Sequence, residues 1–148
     1  MSKAMYDTDF DAWLQAQAAA LRAKAWDALD VAHLAEEIED VRKSERTAVR
    51  SHLRILLLHL LQWAYQRNKR GESWRSSIGS ARVLIEGFLE DSPSLQSELA
   101  GLATSAYPWA RQRAARETRL PPATFPETCP WLLEQLLDDD FWPGEKSR

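Results

Sequence analysis

The sequence predicts an all-α protein, a compact helical bundle of about five helices around one long central helix. Apolar residues recur at helical spacing along nearly the whole chain. No segment shows the period-two alternation between turn residues that is typical of strands. Only five glycines and seven prolines interrupt the 148 residues, which leaves long unbroken stretches. We expect a single domain over 1–148, with its core in 6–143 and a short frayed C-terminal tail.

The first two helices begin after good capping residues. One is expected from about Phe10 to Lys24, with Asp9 as its N-cap. The other begins after Asp30, and no helix breaker follows until about Gln66. We therefore predict one long helix, or two nearly collinear ones. Its first part has one apolar stripe, formed by Val31, Leu34, Ala35, Ile38 and Val41.

Three further helices are expected after the polar connector RNKRGE. Ser73 is the predicted cap of a helix that ends near Asp91, where DSPS marks a turn. The next helix contains Pro108, so we expect a kink or break near Tyr107. The segment RLPPATFPETCP holds four prolines and is predicted to be irregular. A short last helix, WLLEQLLDDD, is expected to open after Pro130.

A line of polar side chains runs along the most apolar part of the long helix, SHLRILLLHLLQWAYQ. His52 and His59 differ by seven positions and fall within ~20° of each other on a helix. Glu45 lies on the same line, Gln62 lies on the same side, and Trp63 borders it. We call these five residues the polar seam. Buried polar groups are normally hydrogen-bonded, so the main interpretation is a pair of satisfied histidines in a core or groove.

Two catalytic alternatives exist for the seam. A metal-dependent enzyme would need three or more converging ligands, and the Glu-x-x-His pairs of helical di-metal sites are absent. A helical ribonuclease would pair Arg54 with His59, but these point ~140° apart on a straight helix. We therefore predict no metal and no cofactor and favour an interaction protein over an enzyme, with a metal-dependent enzyme at the seam as the third hypothesis.

Two basic stretches, 67–75 and 111–119, suggest RNA binding as the alternative function. Cations interleaved with an aromatic ring such as Trp74 can bind phosphates and stack on bases. The simpler interpretation is a solvated face with local salt bridges. The candidate patch consists of Arg67, Lys69, Arg70, Arg113, Arg116 and Arg119.

Charge, cysteine content and hydropathy limit the partners and the cellular compartment that can be expected. A net charge of −3 argues against a general nucleic-acid coat, which relies on neutralising phosphates. The one cysteine, Cys129, permits no intramolecular disulfide, so a reducing cytoplasm is expected. No apolar run approaches the ~18 residues that a membrane helix needs, so no membrane association is expected.

Several segments in order resemble one known family. They are YDTDFDAW, LAEEIEDVRKSER, HLLQWAYQ, SWRSSI, DSPSL, AYPWAR and FPETCPWLLEQLLDDDFWP. Together they are similar to the bacterial family catalogued as domain of unknown function 29, over residues 6–143. That pattern often has a glycine after the acidic EEIE stretch; this chain has DVR, which favours a continuous helix. The resemblance implies a bacterial, cytoplasmic, all-helical domain and assigns no catalytic residue.

The functional expectation is a non-enzymatic module that binds another protein or itself. Seven tryptophans are many for this length, and large aromatics commonly anchor cores or interfaces. The segments CPW and FWP have the character of such anchors.

Overall fold

The computed structural model describes residues 2–144, with side chains described from Met5 onward. The predicted frayed tail lies, from residue 145 on, outside the described residues. Within residues 2–144 the chain forms α-helices, short 3-10 turns and no strand, which confirms the all-α class and the one long helix. The helices are α1 (Ser2–Thr8), α2 (Phe10–Arg22), α3 (Val31–Tyr65), α4 (Glu72–Asp91), α5 (Leu99–Thr118) and α6 (Leu133–Leu137).

Contacts between Cα atoms divide the chain into two compact units, 1–44 and 45–148, and α3 contributes to both. In the first unit, α2 begins where it was predicted, because Oδ1 of Asp9 accepts the backbone N–H of Ala12 at 3.0 Å. Among the described side chains of this unit, residues 5–44, the buried ones are the hydrophobic Trp13 and Ala20 and the polar Gln17 and Asp30.

The second unit holds an extensive apolar core. The C-terminal part of α3 supplies six buried leucines, and α4, α5 and α6 pack against them. The stretch that surrounds the two seam histidines is therefore a core helix, as its periodicity indicated. The buried leucines of α3 are Leu53, Leu56, Leu57, Leu58, Leu60 and Leu61.

Helix α5 does not break at its proline. It continues from Leu99 to Thr118 through Pro108, so of the two predicted alternatives, a kink or a break near Tyr107, the break does not occur. Proline removes one hydrogen bond, to the carbonyl of the residue four positions earlier, which is Thr104. Both Thr104 and Pro108 are exposed, so water can hydrate that carbonyl.

Two other boundaries differ from the predicted ones. Helix α4 begins at Glu72 with Gly71 in the N-cap position, so Ser73 is not the cap. Helix α6 is limited to Leu133–Leu137, and the acidic residues after it lie outside the helix. A first helix, α1, was not predicted, because its seven residues are too short for periodicity to stand out.

Candidate functional site

The polar seam has a different partner at each position. The carboxylate of Glu45 accepts the hydroxyl of Ser92, at 3.2 and 3.3 Å for its two oxygens. The ring of His52 lies 6.0 Å from the ring of Phe88. Ser92 and Phe88 belong to the end of α4 and the turn after it, so this part of the seam packs against a neighbouring segment of the second unit.

The rest of the seam contacts α3 itself and α5. Nδ1 of His59 lies 2.8 Å from the carbonyl of Ile55, one turn earlier in the same helix. The amide of Gln62 donates to the carboxylate of Glu117 at 2.7 Å. Trp63 is buried, and its indole N–H has no hydrogen-bond acceptor among the described residues. No hydrogen bond between described residues joins one seam residue to another.

Metal binding receives no geometric support. Within the described residues, no three side chains of His, Cys, Asp or Glu converge as ligands would. The single thiol, Cys129, lies 3.6 Å from the carbonyl of Trp131, and burial raises the pKa of Cys129. A raised pKa lowers the thiolate fraction and makes this sulfur a weak nucleophile.

The arginines of the first basic stretch hold the C-terminal segment. Nε of Arg70 donates to the carbonyl of Trp63 at 2.8 Å, and its Nη2 donates to the carbonyl of Pro143 at 3.3 Å. Arg75 lies over two indole rings, 5.0 Å from Trp63 and 5.3 Å from Trp142. The rings themselves are 4.8 Å apart. These two arginines thus interact with aromatic rings and carbonyls of their own chain.

Arg82 completes this cluster, which we call the C-terminal clasp. Its guanidinium is buried and donates to the carbonyls of Leu136 and Phe141, at 2.9 Å each, and of Gln135 at 3.4 Å. Burial lowers the pKa of Arg82, and the negative charge of Asp139 opposes that shift. Arg82 was not among the predicted site residues, although a single arginine between Ala81 and Val83 in an apolar helix is a visible signal.

The second basic stretch is more open. Nε of Arg113 pairs with Glu117 at 2.9 Å, one turn away on α5. Such an exposed pair contributes little stability, so this cation remains accessible. The exposed cations of the two stretches for which the described residues provide neither an ion pair nor a contact with an aromatic ring are Arg67, Lys69, Arg116 and Arg119.

The first unit contains a polar cluster around buried Asp30. Its Oδ2 accepts the indole N–H of Trp13 at 3.2 Å and lies 2.7 Å from Nδ1 of His33. The side-chain oxygen of Gln17 accepts the backbone N–H of Asp30 at 2.7 Å. Burial tends to raise the pKa of Asp30, but the bonds from His33 and Trp13 outweigh it and hold that pKa below its usual value. The D-x-x-H spacing was the signal for this pair.

Tyr6 links the first helix to this cluster. Its ring stacks on His33 with centroids 3.8 Å apart, and its hydroxyl donates to Glu37 at 2.5 Å. That hydrogen bond, together with burial, raises the pKa of Tyr6 to about 12. Tyr6 therefore contacts both residues, His33 through its ring and Glu37 through its hydroxyl.

The match to a family covers nearly the whole chain. Residues 5–142 match the model of the family described as domain of unknown function DUF29. The chain belongs to the DUF29 family. No curated protein matches it. No solved structure matches it either. The suspected family is thereby confirmed, and the description of DUF29 carries no activity to transfer.

The most unusual surface of this DUF29 chain lies in the first unit. Among its described side chains, seven large hydrophobic ones are exposed, against two buried hydrophobic ones. The second unit is more than twice as long, and its described residues include five exposed large hydrophobics against 21 buried hydrophobic residues of all sizes. No helix in residues 2–144 is long and apolar enough to cross a membrane. The seven exposed side chains are Phe10, Leu14, Leu21, Trp26, Val31, Ile38 and Val41.

Proposed function

We propose that this protein is a non-enzymatic interaction module, and that its first unit is the element that binds another protein. The observation that carries the proposal is the exposure of seven large hydrophobic side chains within 44 residues. Exposed apolar groups concentrated in one part of a chain are typical of protein-binding surfaces. A unit this small buries too little apolar surface to be stable by its own core, so a partner that covers these side chains would add stability.

The apolar stripe of α3 is the centre of the proposed surface. Val31, Ile38 and Val41 are 67%, 63% and 64% exposed. Their spacing of seven and three residues places them on one side of the helix, as in a helix that packs against another. The series ends at Val41, because the position seven residues after Ile38 is Glu45.

The charge of the first unit indicates what kind of protein fits. Residues 1–44 contain nine Asp and Glu against five Lys and Arg, a formal charge of −4. Like charge opposes the pairing of two such units, whereas a basic rim around an apolar surface would be attracted. We therefore propose a different protein as the partner, with an apolar contact surface flanked by Lys and Arg, in a bacterial cytoplasm.

The alternative functions have less support. RNA binding through 67–75 loses two of its cations to the C-terminal clasp, because Arg70 and Arg75 contact tryptophan rings. Exposed Arg116 and Arg119 remain available for it. An enzyme at the polar seam would require Glu45, His52 and His59 to act on one substrate. No hydrogen bond between described residues joins any two of these side chains, and each has a different partner.

The test begins with native mass spectrometry of untagged protein purified gently from its own cells. A co-purified protein is then identified, purified and titrated against wild type and two variants. Ile38→Lys places a cation in the stripe, and Val83→Lys, also at a position 63% exposed but in the second unit, is the matched control. We expect Ile38→Lys to weaken binding at least about tenfold, as for an interface anchor, and Val83→Lys to leave it unchanged.

Other outcomes would contradict the proposal in distinct ways. Equal binding of the partner by wild type and by Ile38→Lys would show that the first unit is not the binding element. Recovery of a dimer that Ile38→Lys dissociates would make the partner a second copy. Recovery of RNA, with binding that falls steeply as salt rises, would favour the RNA alternative.

A further inference from the structure

A row of three arginines lies on one side of α3 in the second unit. Arg46, Arg50 and Arg54 are spaced by four residues, so each is displaced by about 40° from the one before. Arg46 makes a bidentate pair with Glu98, with its Nε and Nη2 at 2.9 and 2.6 Å from the two carboxylate oxygens. Such a row is suited to bind planar or tetrahedral oxyanions. At the first arginine of the row, Arg46, the chain itself supplies the oxyanion, which is the carboxylate of Glu98.

The other two guanidiniums have no such group. The Nε atoms of Arg50 and Arg54 are both buried, and neither has a hydrogen-bond partner in the described part of the chain. The residues three and four positions away on α3 include no carboxylate. Native proteins rarely leave a buried charged donor without an acceptor, so each case calls for an explanation such as a bound ion.

The surroundings hold the second guanidinium in place. Arg54 lies over the indole ring of Trp109 on α5, 5.6 Å from its centroid. This contact fixes the arginine without neutralising its charge. One turn after Trp109 on the same helix, Arg113 is already paired with Glu117. The carboxylate that contacts the row, Glu98, engages Arg46, and the carboxylate of Glu117 on α5 engages Arg113 and Gln62.

We propose that Arg50 and Arg54 form a binding site for the phosphate group of a small phosphorylated ligand. A phosphate dianion matches two guanidiniums in charge, and its oxygens can accept from both forks. An extended nucleic-acid backbone fits less well, because Glu98 and Glu117 place negative charge among the cations that would follow it. The buried Nε atoms likewise favour one bound phosphate group over a nucleic-acid backbone that runs along the surface.

The probe is inorganic phosphate, titrated into the full chain at constant ionic strength and followed by calorimetry and thermal unfolding. We expect phosphate to raise the unfolding temperature of wild type relative to chloride. Arg50→Gln and Arg54→Gln should weaken phosphate binding at least tenfold, whereas the exposed control Arg116→Gln should not change it. Without phosphate, Arg50→Gln should unfold at or above the wild-type temperature, because one buried N–H that has no acceptor is gone.

Three results would overturn this site. One is the absence of any phosphate effect on wild type, a result that needs no variant. Another is acetate binding as tightly as phosphate, which would make this a carboxylate site. The third is a 12-nucleotide single-stranded RNA that binds at least tenfold more tightly than phosphate and loses that affinity in both variants, which would make the site part of an RNA surface.

Discussion

Replacing Arg82 by methionine keeps a long apolar stem and removes the guanidinium that holds the C-terminal clasp. Two of its hydrogen bonds are 2.9 Å long, and the third, at 3.4 Å, is weaker. A bond with a charged donor contributes about 1.5–3 kcal/mol, so two at the lower end give roughly 3 kcal/mol. Release of a buried charge reduces this loss, and the stranded carbonyls of Leu136 and Phe141 increase it. We expect a destabilisation of about 3 kcal/mol.

The assay is urea unfolding followed by circular dichroism, supported by thermal unfolding. For a chain of this size the loss corresponds to a fall in Tm of roughly 6–12 °C. Arg82→Lys keeps the charge but not the fork, so its stability should lie between those of wild type and Arg82→Met. Arg116→Met, on the exposed side of α5, should change the free energy of unfolding by less than about 0.5 kcal/mol. A loss below about 1 kcal/mol for Arg82→Met would refute the assignment of its guanidinium to the three carbonyls.

Two further predictions concern single positions. The pKa of Asp30 is lowered in the folded state, so its contribution to stability is present above its ordinary value of 3.8 and is lost as the pH falls below it. The stability difference between wild type and Asp30→Asn should therefore shrink between about pH 4 and pH 2, and a constant difference in urea unfolding across that range would contradict the assignment. Pro108→Ala should restore a helix hydrogen bond in α5 and stabilise the chain by about 1–2 kcal/mol, since proline costs about 3 kcal/mol inside a helix and regains part of this in the unfolded state; an unchanged midpoint in the same assay would show that α5 already accommodates the ring.

The sequence was a good guide to elements whose causes are local. The long helix follows from the absence of a breaker between Val31 and Tyr65, and the start of α2 follows from the Asp9 cap. Proline was a poorer guide, because its cost in α5 depends on whether water reaches the freed carbonyl. Periodicity also placed Val31, Ile38 and Val41 on one face, but it could not tell whether anything covers that face.

The candidate sites depended on contacts between distant residues, which spacing does not reveal. The polar seam was predicted from spacing within one helix, whereas Ser92, Phe88 and Glu117, which contact it, come from other segments. The basic stretch 67–75 was read as a charged surface, whereas Arg70 and Arg75 lie against Trp63. Cations and aromatics near each other in sequence signal both RNA binding and internal cation–π packing, and only the fold separates the two.

Arg82 holds the 135–141 segment through hydrogen bonds to main-chain carbonyl oxygens, and every amino acid has such an oxygen. The side chains at Gln135 and Phe141 can therefore be exchanged without removing the acceptors, provided that the backbone keeps its path. Leu136 is different, because its side chain is buried in the core. Mutational tolerance should be uneven as a result, higher at Gln135 and Phe141 and low at Leu136 and at the one arginine that holds the segment. A saturation library across Arg82 and residues 135–141 would display this asymmetry directly.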